Sequence, residues 1–405
     1  MNNFVKASVI FAIAFPIVAS AEEALSVEQK SVSNINEMFE EGKISGEIRS
    51  MYAGYDIKTG SDDIYATAIG GHIKYESAQL HGFSVGAAFA LSHDIGFATG
   101  DEGIKQNPEL SSSSGEYTTL SQAYLNYASG DFNLRAGRQL IDTPLADSDD
   151  IRMIANTFEA YIATYSISNF SFMAGNLQSW QGYDAGLDDE WVNAGEDGTW
   201  FGGISYADDF IAASGWYYNI TKLTNASYAD LILNYEVNSD ISVAAGVQYL
   251  NEREVSSSGV KADIYGAMAE LSAYGITLGV AYNKSERETN KGSFSGFGGG
   301  ALFTSMDTMI LDEITPDRDS EAITGSIGYE IDDLTLVYAY GDFKGDADGA
   351  GTKAHIVEQN IGAEYSVIKD KLLLRAIYVE QEDKESLAKT DFDWKRLEFM
   401  ASYLF

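Results

Sequence analysis

The chain has 405 residues, 45% of them hydrophobic, and carries 61 Asp and Glu against 26 Lys and Arg for a formal net charge of -35. A phosphate backbone would be repelled by so acidic a surface, which excludes nucleic acid as a partner. With 25 Tyr, 20 Phe and 39 Gly it is no disordered polymer, and with no cysteine and four prolines it depends on a continuous backbone ladder rather than disulfides.

The first residues, "MNNFVKASVIFAIAFPIVASAEE", read as an export signal: Lys6, an apolar run from Ala7 to Val18, then Ala19-Ser20-Ala21 in a small-x-small arrangement. Cleavage is expected after Ala21, so that residues 1–21 are the signal and the mature chain begins near Glu22. The apolar run is shorter than the roughly 20 residues of a spanning helix, and no later stretch approaches that length. Residues 22–43 form a short N-terminal segment, in which "SVSNINEMFEEGK" predicts one helix with Ser33 as its cap and Glu37 inside the first turn.

From residue 44 to residue 405 a single pattern repeats without any shift in composition that would mark a second domain. Phe83, Val85, Ala87, Phe89 and Leu91 alternate with small or polar residues, as do Ile241, Val243, Ala245, Val247 and Tyr249, and Ile276, Leu278, Val280 and Tyr282. The terminal stretch "RLEFMASYLF" does the same: Leu397, Phe399, Ala401, Tyr403 and Phe405 share one parity, Arg396, Glu398, Met400, Ser402 and Leu404 the other. Tight turns fall at Gln79 to Gly82, Ser129-Gly130-Asp131, Ser168-Asn169, Ala207-Asp208-Asp209, Asn238-Ser239-Asp240, Ala273 to Gly275, Asp332-Asp333 and Lys369-Asp370. Longer segments at 96 to 116, 142 to 157, 180 to 198 and 287 to 320 lie between them on the other side.

The expected fold is therefore all-β: a transmembrane antiparallel β-barrel of about 18 strands, with short periplasmic turns and long external loops. Tyrosines near strand ends, such as Tyr52, Tyr127, Tyr165, Tyr249, Tyr329 and Tyr365, would form interfacial girdles. The last strand must pair with the first, near Ile44 to Tyr55, because a barrel leaves no edge in lipid.

A barrel of this size encloses an aqueous channel unless something narrows it, and residues 22–43 are too few to act as a plug. "RQLIDTPLADSDDIRMIANTFEA" is the expected constriction loop, with Asp142, Asp147, Asp149, Asp150 and Arg152 sorting solutes by size and charge. "AGRQLIDTPLADSDDIRMIANTFEAY", together with "GKISGEIRSMYAGY" and the terminal Phe405, resembles the OprD-type outer-membrane porins. The resemblance implies an inward third loop, a ladder of basic side chains, and passive uptake of small water-soluble nutrients that often bear a carboxylate. This chain is much more acidic than that pattern.

Strand parity, taken independently, turns Arg49, Lys74, Arg375 and Arg396 toward the interior as one basic wall. Asp230, Glu236, Glu270, Glu330, Glu358 and Glu364 take inward positions on the opposite side, giving a transverse field. Arg135 and Arg138 cannot both face inward on a regular strand, and a bulge at Gly137 would reconcile them. Small inward residues such as Gly86, Ala88, Gly246, Gly279 and Gly362 would keep the lumen open.

The expected function is a passive diffusion channel with no cofactor, facing lipid and lipopolysaccharide, as a single barrel or a homotrimer. Divalent cations are candidate partners for the acidic loops, but no fixed ligand spacing supports a metal site. Its ions would show weak cation preference, with the basic wall guiding carboxylate solutes. Enzymatic activity is not expected, because His72, His81, His93 and His355 stand apart from any G-x-S-x-G motif. The competing expectation is an adhesin with a closed barrel, to which a loop as long as 287 to 320 would be suited.

Overall fold

The alternation becomes geometry in the computed structural model, which describes residues 30–58, 61–101, 105–112, 114–187, 191–387 and 392–405. The expected export signal lies outside these residues. The long strands follow one another as β1 (Lys43–Ile57), β2 (Ile64–Glu76), β3 (Phe83–Asp94), β4 (Glu116–Ser129), β5 (Phe132–Gln139) and β6 (Thr157–Ile167). Then come β7 (Phe170–Gln181), β8 (Thr199–Ala207), β9 (Ile211–Ile220), β10 (Thr224–Asn238), β11 (Ile241–Glu254) and β12 (Ala262–Ala273). The series ends with β13 (Ile276–Ser285), β14 (Ser320–Ile331), β15 (Leu334–Gly345), β16 (Ala354–Ile368), β17 (Leu372–Asp383) and β18 (Trp394–Leu404).

Each strand pairs antiparallel with its sequence neighbours, and β1 also pairs with β18, Glu47 opposite Leu404 and Tyr55 opposite Arg396. That seam closes an 18-strand barrel, so every strand finds its backbone partners within the sheet. The outward parity is apolar and open: Phe399 is 50% exposed, Val247 54% and Val280 47%, while their neighbours Met400, Gln248 and Ala281 are buried. Leu397, Tyr403 and Phe405 share the outer face with Phe399. Only lipid outside and a protein-filled or wet interior suit this arrangement.

Connections at one end are short, and all eight expected turns lie there. Tyr274 (φ 53) and Gly275 (φ 80) are both left-handed, as a mirror-type hairpin turn requires. At the other end the loops span 95–115, 140–156, 182–198 and 286–319, close to the expected segments. Length is uneven there, however, since β9 and β10 are joined by residues 221–223 alone.

Several local expectations are corrected. The N-terminal helix, α1 (Ile35–Glu40), is capped by Asn34 rather than Ser33: the Asn34 side chain accepts from the Glu37 N–H at 3.0 Å, and Ser33 donates instead to the Glu37 carboxylate. No register slip occurs at Gly137, which takes φ 120 within an unbroken ladder to β4 and β6. Arg135 therefore turns inward and Arg138 outward, where its guanidinium lies 4.4 Å from the Trp191 ring. Gly86 is no clearing in the lumen but a socket, since a Cβ there would stand 2.3 Å from the Tyr124 ring. Gly246 is likewise flanked by Ile232 and Met268.

Loop 286–319 is the largest departure from expectation. It does not spread over the surface as an adhesive loop would; Leu302, Met306, Met309, Leu311 and Ile314 are buried in the cluster that holds Leu145 and Phe158. Phe297 joins it to the third loop, accepting from the Asp147 N–H at 3.1 Å and donating to Leu145 at 3.0 Å.

Candidate functional site

The closing seam carries the cations. Arg49 on β1, Arg375 on β17 and Arg396 on β18 are all buried on the inner face, and strand register sets their heights. Arg396 stands opposite Tyr55 near the loop end; Arg49 opposite Ser402 and Arg375 opposite Met400 lie lower. Lys74, opposite Ser45, is lower again, and Arg135, opposite Asn126, is nearest the short turns. Lys74 and Arg135 share the Tyr124 ring, 5.7 and 4.3 Å from its centroid, and Lys74 pairs with Glu76 at 3.1 Å. Four cations thus cluster on the adjacent strands β17, β18, β1 and β2, and the fifth, Arg135, lies three strands further on, on β5.

Loops meet this wall from above. Asp150 of loop 140–156 accepts two parallel bonds from Arg49, at 2.8 and 3.0 Å, and the Arg152 carbonyl accepts a third. Arg49 also bonds Glu47 at 2.9 Å and Ser402 at 3.2 Å, so strand and loop are fixed to one guanidinium. Arg152 pairs with Glu109 of loop 95–115 and lies 5.2 Å from the Tyr183 ring of loop 182–198. Arg396 meets Glu109 at 3.5 Å, Tyr55 at 3.4 Å and Asp307 of loop 286–319. Glu398 lies 3.2 Å from Arg375, 3.5 Å from Arg396 and 3.7 Å from Arg152. Charges taken this far out of water persist only when paired in this way.

The loop carboxylates diverge in their protonation. Burial opposes the charge on Asp150, but the Arg49 guanidinium outweighs it and holds the group below the usual carboxylate range. Burial pushes Asp149 up to about 7, with Asp184 adding to it, and Asp147 up to about 8, with Asp142 adding to it. Asp142 itself is exposed and sits across a two-residue hairpin from Asp147 rather than in the arginine network.

A family model described as "outer membrane porin, OprD family" matches residues 36–320. The chain belongs to the OprD family of outer-membrane porins. It is a channel rather than an enzyme, an integral β-barrel of the outer membrane through which small solutes pass. Solved structures with the same fold include Pseudomonas aeruginosa OpdK with vanillate, at 16% identity and TM-score 0.76, covering 91% of this chain and 99% of that one. Acinetobacter baumannii OccAB2 is similar at 15% identity and TM-score 0.78, with 91% and 99% covered. Pseudomonas aeruginosa OpdL stands at 17% identity and TM-score 0.74, with 90% and 98% covered. Among curated proteins, none matches the sequence.

In this porin the acids sought on the far wall have three different settings. Asp230, Glu270 and Glu364 take partly covered inward positions; Asp230 accepts from Ser214 at 2.6 and 2.8 Å, while Glu364 lies beside Arg375 on the neighbouring strand rather than across the lumen from it. Glu236 and Glu330 are exposed near the short-turn end. Glu358 is fully buried and bonded to loop 286–319, accepting from the Thr308 hydroxyl at 2.5 Å and the Met309 N–H at 2.8 Å. Gln248, Glu252 and Asn283 hold the same loop through Phe303, Phe294 and Thr304. Glu47, Glu109, Asp307 and Glu398, which sequence reading did not place in the site, join Asp150 as the carboxylates nearest the arginines. Among the described residues no group of three His, Asp or Glu side chains is arranged to hold a metal ion.

Proposed function

We propose that small hydrophilic solutes bearing a carboxylate move along the cation ladder of Arg396, Arg49, Arg375, Lys74 and Arg135. The observation that carries this reading is their register, which falls from the loop end toward the short turns in the order Arg396, Arg375, Arg49 and Lys74 on the neighbouring strands β17, β18, β1 and β2, and then to Arg135 on β5. Loop carboxylates set against these cations keep the ladder near neutrality, so a carboxylate can exchange from one guanidinium to the next instead of being trapped. The relative OpdK was solved with vanillate, itself a carboxylate, which supports the same solute class here. Asp230 and Glu270 across the lumen, Glu364 beside Arg375, and the chain's overall charge of -35 favour a weak cation preference for inorganic ions.

The proposal extends to maturation after Ala21 and to lipopolysaccharide around the loop end, with divalent cations bridging its phosphates to the acidic loops. Assembly as a homotrimer remains part of the proposal, read out by crosslinking in native membranes.

Liposome swelling tests the solute class with gluconate and gluconamide, which differ by a charge. Gluconate should enter faster, and Arg396→Gln should lower the ratio by roughly tenfold, the scale of one hydrogen bond to a charged group. Equal entry of the two solutes, unchanged by Arg396→Gln, contradicts the reading.

A further inference from the structure

Three external loops each bring a carboxylate to an arginine: Asp150 to Arg49, Glu109 to Arg152 and Arg396, Asp307 to Arg396. They are not held equally. Asp150 uses both oxygens on Arg49. Glu109 accepts from Asn107 at 3.2 Å as well as meeting two guanidinium groups. Asp307 places Oδ2 on Arg396, while its buried Oδ1 has no hydrogen-bond partner among the described residues. A buried acceptor without a donor is costly, so Asp307 is the least securely seated of the three.

The arginine side is also incomplete, because the Nε of Arg396 has no hydrogen-bond partner among the described residues. Meanwhile the residues that follow Asp307 are fixed independently. The Thr308 N–H donates to Glu358 at 3.3 Å, its hydroxyl at 2.5 Å, and the Met309 N–H at 2.8 Å. These loop bonds do not involve the Asp307–Arg396 pair, whose two side chains are both buried.

We infer that Asp307 is an internal stand-in for the solute carboxylate, occupying Arg396 between solutes and yielding it to each one that arrives. The inference rests on the carboxylate reading proposed above. An incoming carboxylate takes the place of Oδ2 and gains the unpartnered Nε; a neutral solute cannot compensate for the lost ion pair. Return of Asp307 then drives the solute off. Exchange of one anion for another keeps the local charge constant, which meets the requirement that a channel site bind and release with comparable ease. Asp307 is in this sense a specificity-determining residue whose job is to weaken binding.

The test is gluconate block of single-channel KCl current in planar bilayers, with gluconamide as the neutral comparison. If Asp307 occupies Arg396 about nine-tenths of the time, Asp307→Asn lowers the half-blocking gluconate concentration about tenfold and leaves gluconamide unchanged. Asp307→Ser is measured alongside, so that the result does not hang on one variant folding, and Asp307→Glu should restore the wild-type value. Gluconate block in wild type that is lost in Arg396→Gln, yet unchanged in both Asp307→Asn and Asp307→Ser, overturns this inference alone. Absence of gluconate block from wild type and Arg396→Gln alike overturns the carboxylate reading and this inference with it.

Discussion

Arg49 and Asp150, 101 residues apart, face each other through two parallel hydrogen bonds of 2.8 and 3.0 Å. Because Arg49 also bonds Ser402 across the closing seam, the narrowing loop is tied to the strand pair that completes the barrel. Pairing of the first strand with the last therefore presents the guanidinium that seats Asp150. Removing one partner from so buried a pair typically costs about 3–5 kcal/mol, because the other charge is left behind.

Asp150→Ala leaves Arg49 with Glu47 as its carboxylate partner, beside Ser402 and the Arg152 carbonyl. The barrel should still form, since its strands pair through backbone bonds, but loop 140–156 loses its main tether. Single-channel recordings should show larger and noisier conductance, while heat-modifiable gel migration remains that of a folded barrel. Conductance indistinguishable from wild type would remove the pair from any role in setting the aperture.

Charge reversal on the two sides of the constriction should act in opposite directions. Arg396→Glu removes a cation from the ladder and should move the reversal potential in a KCl gradient toward cation selectivity; Asp149→Lys should move it toward anions. A change of roughly twofold to fivefold in permeability ratio corresponds to about 0.4–1 kcal/mol, the scale of a single charge in a partly solvated setting. An unaltered reversal potential in both variants takes these residues out of the permeation path.

Protonation gives a third test. In the docked loop Asp149 is raised from an ordinary value of 3.8 to about 7, and Asp147 from 3.8 to about 8, chiefly by burial. Across that window the docked loop binds more protons than a loop freed into water, so protonation favours docking and rising pH weakens it. The same rise adds negative charge at the aperture. Cation preference and current noise should therefore both increase from about pH 5 to about pH 8. Asp149→Asn should flatten the response near neutrality; a pH profile identical to wild type contradicts the assignment.

Lipid contact is tested on the outer wall. Phe399 lies midway along β18 and is 50% exposed, whereas its neighbour Met400 is buried on the inner face. Phe399→Lys should destabilise the barrel in phospholipid vesicles by about 2–4 kcal/mol, read from urea unfolding. Should the variant unfold at the wild-type urea concentration, Phe399 is not against hydrocarbon.

What the sequence made legible was whatever alternates or turns locally. The parity of Phe399 against Met400 reports lipid on one side because the strand period is two, and Ser168-Asn169 or Asp332-Asp333 announce reversals by their own chemistry. Glu47 beside Arg49, and Glu398 beside Arg396, shared a parity and were open to being read as pairs. The meeting of Glu109 with Arg396 was not legible, since 287 residues separate them and no local pattern says where a loop folds. The long loop 286–319 was hidden for the same reason: its route depends on Gln248, Glu252, Asn283 and Glu358, which look like ordinary inward polar residues until something docks on them. Gly137 misled in a different way, because a glycine with positive φ can sit in an unslipped ladder.

Planar-bilayer recording of the purified, folded protein bears most directly on the claim that a closed barrel carries a water-filled path narrowed by its own loops. Stable unitary current steps in KCl, with a reversal potential that shifts when Arg396 or Asp149 is changed, are the result this account predicts. A barrel shown to be inserted and folded that passes no current over hours at moderate voltage would contradict it.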